Sequence, residues 1–175
     1  GHARILAATI PRRADRWFVS FTCEVDRQIP AGSSKPSVVG VDVGVRHLAV
    51  LSTGVIIANP RALEASLRKL RRLSRELARR KPASKRRSRT RQRLARVNAR
   101  AANLRRDALH KLSTTLATEY GTVVVEHLNV AGMVRNRRLA RAISDAGMAE
   151  LRRQLTYKSS WYGSRLVVAD QFYPS

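Results

Sequence analysis

The stretch from Arg61 to Arg106 carries 19 Lys or Arg and two acids, Glu64 and Glu76, a local balance of +17. Nothing so charged can form the interior of a domain, so the stretch needs an apolar seam on one side and solvent or a polyanion on the other. The seam is present. Leu63, Leu67, Leu70, Leu73 and Leu77 recur at helical spacing, and after Pro82 so do Leu94, Val97, Ala101, Leu104, Ala108, Leu112 and Leu116. Between the two runs, Lys81-Pro82-Ala83-Ser84 reads as a turn. The pattern predicts two antiparallel amphipathic helices with cationic outer faces. No acids balance those faces, and self-repulsion would cost stability unless nucleic acid neutralises it.

The rest of the composition agrees. The 175 residues hold 35 Lys or Arg against 12 Asp or Glu, a net charge of +23. There are 29 Arg to 6 Lys. The planar guanidinium grips phosphate bidentately and stacks on bases. Codon bias can raise Arg over Lys, but it does not create net charge. Candidates for phosphate contact are Arg68, Arg72, Arg75, Arg79, Arg86, Arg87, Arg89, Arg93, Arg96 and Arg100, with a second cluster at Arg135, Arg137, Arg138 and Arg141. A hydrophobic content of 43% argues against wholesale disorder. No apolar run approaches the roughly 20 residues a spanning helix needs. The single Cys23 excludes an intramolecular disulfide and any cysteine-based zinc site within the stretch. These features predict a soluble, cytoplasmic protein with no membrane partner. The opening Gly1-His2-Ala3-Arg4 is neither a signal peptide nor a natural initiator, which suggests a fragment.

Strand patterns flank the basic segment. Arg4 to Ile10 and Trp17 to Val25 read as a β-hairpin about the loop Pro11–Arg16, and Gln28 to Ser37 as a linker. Val38 to Val43, Arg46 to Ser52 and Val55 to Ala58 read as an antiparallel meander. Gly121 is placed as a helix C-cap, Thr122 to Glu126 as a short buried strand, Leu139 to Tyr157 as one helix running toward Gly163, and Leu166 to Ala169 as a last strand. Three antiparallel strands followed by strands reached through helical crossovers describe an α/β fold, a mixed sheet with helices. This is the order of an RNase H-like fold.

Three acids stand apart from the rest: Asp42 in VVGVDVGV, Glu126 in VVVEHLNV and Asp170 in LVVADQ, each in or at the end of an apolar strand. The other acids lie among bases on helices or in the hairpin; Asp145 is placed near a helix start, where the dipole suffices. A carboxylate buried in a valine run is costly unless paired or metal-bound. Two on neighbouring strands would repel until a divalent cation relieved both. Mg²⁺, with Mn²⁺ as an alternative, prefers such oxygen ligands. A pair of these ions can activate water and stabilise a leaving 3′ oxygen. His127 is expected on the opposite side from Glu126 by strand alternation, and Trp161 and Tyr162 are expected to pack on the sheet.

At these residues the chain resembles a known family. GVDVGVRHLAVLSTG (40–54) looks like the first RuvC motif of the TnpB family, transposon-encoded RNA-guided endonucleases related to the type V CRISPR effectors. NLRRDALHKLST, VVVEHLNVAGM, RNRRLARAISDAG and RRQLTYKSSWYGSRLVVADQFYPS resemble the same family in order. The resemblance implies a RuvC-like nuclease domain over 38–175 with a basic helical insertion over 60–118, preceded over 1–31 by the end of a wedge-type domain. It implies Asp42 and Glu126 as catalytic carboxylates holding Mg²⁺, and guide RNA and target DNA as partners. The family continues into a zinc ribbon and a third catalytic Asp, which this sequence does not include; Asp170 is a conceivable substitute. The alternative expectation is a nuclease-inactive relative that binds nucleic acid without cutting it.

Overall fold

The computed structural model describes residues 3–26, 37–136 and 139–169. Residues 28–36 of the linker expected from Gln28 to Ser37, together with Asp170, Arg137 and Arg138, therefore lie outside the described residues. The chain forms two compact units, Gly1–Gln28 with Ala62–Asn103, and Ile29–Arg61 with Leu104–Ser175.

In the first unit, β1 (Ala3–Thr9) pairs antiparallel with a later strand across a small second hairpin of β2 (Arg12–Arg13) and β3 (Arg16–Trp17). That later strand is β4 (Ser20–Val25). The segment expected as a plain loop thus pairs with itself, turned by Ala14 at φ 56° and topped by Arg12 over the Trp17 ring. Only two strands pair in β1–β4, and all their residues are exposed. The helical seam forms as the spacing predicts. In α1 (Ala62–Arg79) Leu73 is fully buried, while Leu63, Leu67, Leu70 and Leu77 are half-buried. The second helix, α2 (Lys85–Glu119), gives this unit its residues up to Asn103. Its Arg96 pairs with Asp15 of the hairpin at 2.7 Å.

The second unit is built on a five-stranded mixed sheet. β5 (Val38–Asp42), β6 (His47–Leu51) and β7 (Ile56–Ala58) form the expected antiparallel meander. β8 (Thr122–Glu126) then runs parallel to β5, and β9 (Arg165–Ala169) parallel to β8, giving the order β7-β6-β5-β8-β9. β-branched valines suit the two-sided pleat of the middle strands. Between β8 and β9 come α3 (Val130–Arg135), α4 (Ala140–Ala146) and α5 (Met148–Tyr162). Leu109, Leu112 and Leu116 of α2 and Leu151 and Leu155 of α5 pack with Val39, Val41, Val123 and Val125 of the sheet. Each fully buried leucine contributes roughly 2–3 kcal/mol of transfer free energy.

The structure corrects several sequence expectations. Leu104, assigned to the seam, is 49% exposed, and Leu109 is buried in its place. The apolar face of α2 shifts between the helix's two halves, which serve different units. Gly121 is not a left-handed cap; its N–H donates to the Ser37 carbonyl at 3.0 Å, and among the described residues the positive-φ glycines are Gly54, Gly147 and Gly163. The single helix expected from Leu139 breaks at Gly147, φ 69°. Asp145 sits in the last turn of α4, where the helix dipole disfavours an anion. It is buried there, and Arg105 compensates at 3.5 Å.

Candidate functional site

In the parallel pair β5–β8, Val41 stands opposite Val125. Asp42 and Glu126 are the next residues, so they end adjacent strands side by side. Val39, Val41, Val123 and Val125 are buried, and alternation places Asp42 and Glu126 on the opposite face, both exposed. The strand ends explain the exposure, and they remove the burial cost expected of a carboxylate in a valine run. Neither carboxylate makes a hydrogen bond or ion pair with another described residue. Two adjacent, unpaired, exposed carboxylates are a hard oxygen donor set that fits Mg²⁺. Among the described residues, no group of three or more His, Cys, Asp or Glu is placed to hold a metal.

Beside Glu126 opens a cleft of about 320 Å³. Its walls are apolar (Val43, Val125, Leu128, Val130, Met148, Leu151, Leu155), with Glu126, His127, Asn129 and Arg152 as polar groups. His127 lines the same cleft as Glu126 and Val125. β8 ends at Glu126, and the alternation ends with it; the His127 N–H donates to the Ala169 carbonyl at 3.0 Å. Asn129 caps α3 by accepting from the Gly132 N–H at 2.9 Å. Arg152 was not singled out from the sequence. Its place one helical turn after Met148 on α5 is the signal that would have found it.

Within the sheet's helical cover, α2 and α5 share a polar network. Lys158 is buried, and its Nζ donates to the His110 carbonyl, Ser113 Oγ and Thr114 Oγ1 at 2.9, 2.8 and 2.7 Å. Ser113 Oγ donates to Gln154 Oε1 at 2.9 Å. Gln154 Nε2 in turn donates to Glu150, which a bidentate pair holds to Arg153 at 2.7 and 2.8 Å. These contacts hold the Glu150 carboxyl down at about 2, and burial lowers the Lys158 ammonium. Every bond named in this network joins α2 to α5 or lies within α5. Trp161, expected on the sheet, is 46% exposed and meets Tyr157 edge-on at 4.7 Å.

The candidate phosphate-binding arginines divide into two groups. Arg87 Nη1 donates to the Leu77 and Arg80 carbonyls at 2.9 and 3.0 Å, Arg96 is held by Asp15, and Arg93 lies 4.0 Å from Glu76. Arg68, Arg72, Arg75, Arg79, Arg86, Arg89, Arg100 and Arg135 are exposed and form no ion pair with a described residue.

The family profile and the curated relatives agree with the resemblance read from the sequence. The profile of the OrfB_IS605 family, described as "Probable transposase", matches residues 20–137. A Streptomyces pristinaespiralis protein described as "Putative RNA-guided DNA endonuclease" is 46% identical over 93% of this chain, which covers 40% of that protein. A Mycobacterium tuberculosis protein of the same description is 43% identical over the whole chain, covering 41% of its length. A solved Cas12f1–sgRNA–target DNA complex aligns over 92% of this chain and 41% of its own, with a TM-score of 0.48 and 16% identity. The chain thus spans about two fifths of the curated relatives it matches. With the family profile covering well over half of its residues, the chain belongs to the OrfB_IS605 (TnpB) family of transposon proteins.

Proposed function

We propose that the chain is part of an RNA-guided DNA endonuclease with a RuvC-like site, in which Asp42 and Glu126 bind Mg²⁺ and the basic helices contact guide RNA and target DNA. The observation that carries this reading is the pair of exposed carboxylates, without an ion-pair partner among the described residues, that end two adjacent parallel strands. The curated relatives' description as RNA-guided DNA endonucleases supports it. The bound Mg²⁺ would supply water activation and stabilisation of the leaving 3′ oxygen. The chain's own residues hold the site together. The parallel register keeps the two carboxylates level, and Asn129 anchors the turn that follows Glu126. In this reading His127 and Arg152, which line the cleft beside Glu126, bind a phosphate oxygen of the substrate. Sequence reading falls to guide pairing, as in related effectors, and the site of action is the cytoplasm.

The test uses the full-length protein with its guide RNA and target. Asp42→Ala or Glu126→Ala slows Mg²⁺-dependent cleavage by roughly a thousandfold, the worth of several kcal/mol of transition-state stabilisation, and target binding survives. Intact cleavage in either variant overturns the assignment. A wild-type protein that binds target and never cuts it identifies a binding-only relative instead.

A further inference from the structure

The turn between α1 and α2 is a built structure. Ser84 Oγ accepts from the Arg87 N–H at 3.1 Å, an N-cap for α2, and Ala83 takes a left-handed φ of 60°. Arg87 then reaches back across the turn, and its Nη1 satisfies the Leu77 and Arg80 carbonyls at the C-terminal end of α1. Thr90, 1% exposed, donates to Glu76 at 3.1 Å, and Arg80 also pairs with Glu76. The end of α1 and the start of α2 are therefore locked together by side chains that face inward.

This lock leaves a polar cup of about 650 Å³ lined by Arg72, Arg75, Glu76, Arg79, Arg80 and Arg86. Glu76 and Arg80 neutralise one another. Arg72, Arg75, Arg79 and Arg86 have no acid among the described residues. Four unneutralised guanidinium groups around one concavity repel each other, and a single phosphodiester would cancel only one charge. Closely spaced anionic charges complement the cup better than a single one. The guanidinium fork favours phosphate among them.

We propose that this cup is a discrete site for consecutive phosphates of one nucleic-acid strand, within a helical pair otherwise read as a diffuse basic surface. The inference rests on the nucleic-acid reading above and narrows it to one place. The arginines divide by role: Arg72, Arg75, Arg79 and Arg86 meet phosphate, and Arg87 positions them by bracing the turn. RNA and DNA present the same backbone chemistry, and the choice between them belongs to the test.

The test compares two triple variants of the full chain with the same loss of charge. One is Arg72→Gln/Arg79→Gln/Arg86→Gln, within the cup. The other is Arg68→Gln/Arg89→Gln/Arg100→Gln, outside it on the same two helices. Binding to a labelled RNA duplex and a DNA duplex of one sequence is measured by anisotropy over a range of NaCl. Inorganic pyrophosphate is titrated separately against thermal unfolding. The cup triple is expected to lose about thirtyfold in affinity near physiological salt, and its slope of log K against log [NaCl] to fall by about 2; the outside triple loses only a few-fold. Pyrophosphate is expected to stabilise wild type and the outside triple, but not the cup triple. A larger loss on RNA points to the guide as occupant, and a larger loss on DNA to the target. Equal losses from both triples, with no difference toward pyrophosphate, overturn the discrete site and leave a diffuse field. A wild-type chain that responds to pyrophosphate and binds neither duplex overturns the nucleic-acid reading while the anion cup stands.

Discussion

The ammonium of Lys158 is buried against neutral oxygens alone, and the protein meets its cost with geometry: three donors, three acceptors. The network continues through Ser113 and Gln154 to Glu150, the member that reaches water, with its side chain 38% exposed. Glu150 titrates at about 2 instead of the ordinary 4.5, chiefly through its hydrogen bonds to Arg153 and Gln154. A carboxyl depressed on folding contributes stability that is fully present above the unfolded value and is lost as pH falls through the folded one. The window here is therefore pH 4.5 down to about 2. Glu150→Gln should flatten this part of the profile. Thermal midpoints at about pH 5 and pH 3 should fall further for wild type than for the variant; equal falls would show that the Arg153 pair contributes nothing to folding. The sequence did contain a trace of the network. Gln154 and Lys158 occupy helical positions next to the buried Leu151 and Leu155, where a polar residue needs a partner. Ser113 and Thr114, their partners, are distant in sequence, and no local pattern pairs them.

At the scale of elements, periodicity carried most of the fold. The strands from Val38 to Ala58 and the leucine seam of α1 follow directly from alternation and helical spacing. Periodicity also hid the break between α4 and α5, because apolar residues keep their spacing across Gly147. The break is imposed from outside the segment. Gly147 stands at φ 69°, and a Cβ there would meet Leu109 Cδ1 at 2.9 Å and Arg105 Cδ at 3.3 Å. Gly54 provides the comparison: its φ is 87° and nothing lies within 4 Å of the added carbon. Gly54→Ala should thus cost only backbone strain, about 1 kcal/mol. Gly147→Ala should cost about 2–4 kcal/mol, because Leu109 is a fully buried core residue with little room to give. Urea unfolding of the two variants checks the difference, and equal costs would mean that α2 yields at this contact. The six-residue α3 is too short to show a period. Its only sequence signal is Asn129 standing three residues before Gly132, a capping geometry that Asn favours.

Over the whole molecule, the charge was legible and its partition was not. The basic segment is continuous in sequence, yet the compact units join residues 1–28 to 62–103 and leave the rest of α2 with the sheet. Linear composition carries no sign of that interleaving. The partition changes the meaning of the net +23. The ion pairs at Glu76, Asp15 and Asp145 each engage one or two arginines, and most of the basic side chains of α1 and the first half of α2 are exposed without an acidic partner among the described residues. Repulsion among them should therefore outweigh the attraction in the few native pairs, whose exposed members contribute little. Raising NaCl from about 20 to about 300 mM shortens the screening length from roughly 20 Å to roughly 6 Å. The free chain should become more stable over this range, its thermal midpoint rising by about 2–4 °C for each kcal/mol of repulsion relieved. Duplex binding over the same range should weaken steeply, because the counterions that screen the arginines also compete with phosphate. The opposite signs are the discriminating result. A midpoint that falls with salt, measured by scanning calorimetry in chloride alone, would mean that native ion pairs dominate, and that the unpaired arginines are spaced too widely to ask for a polyanion.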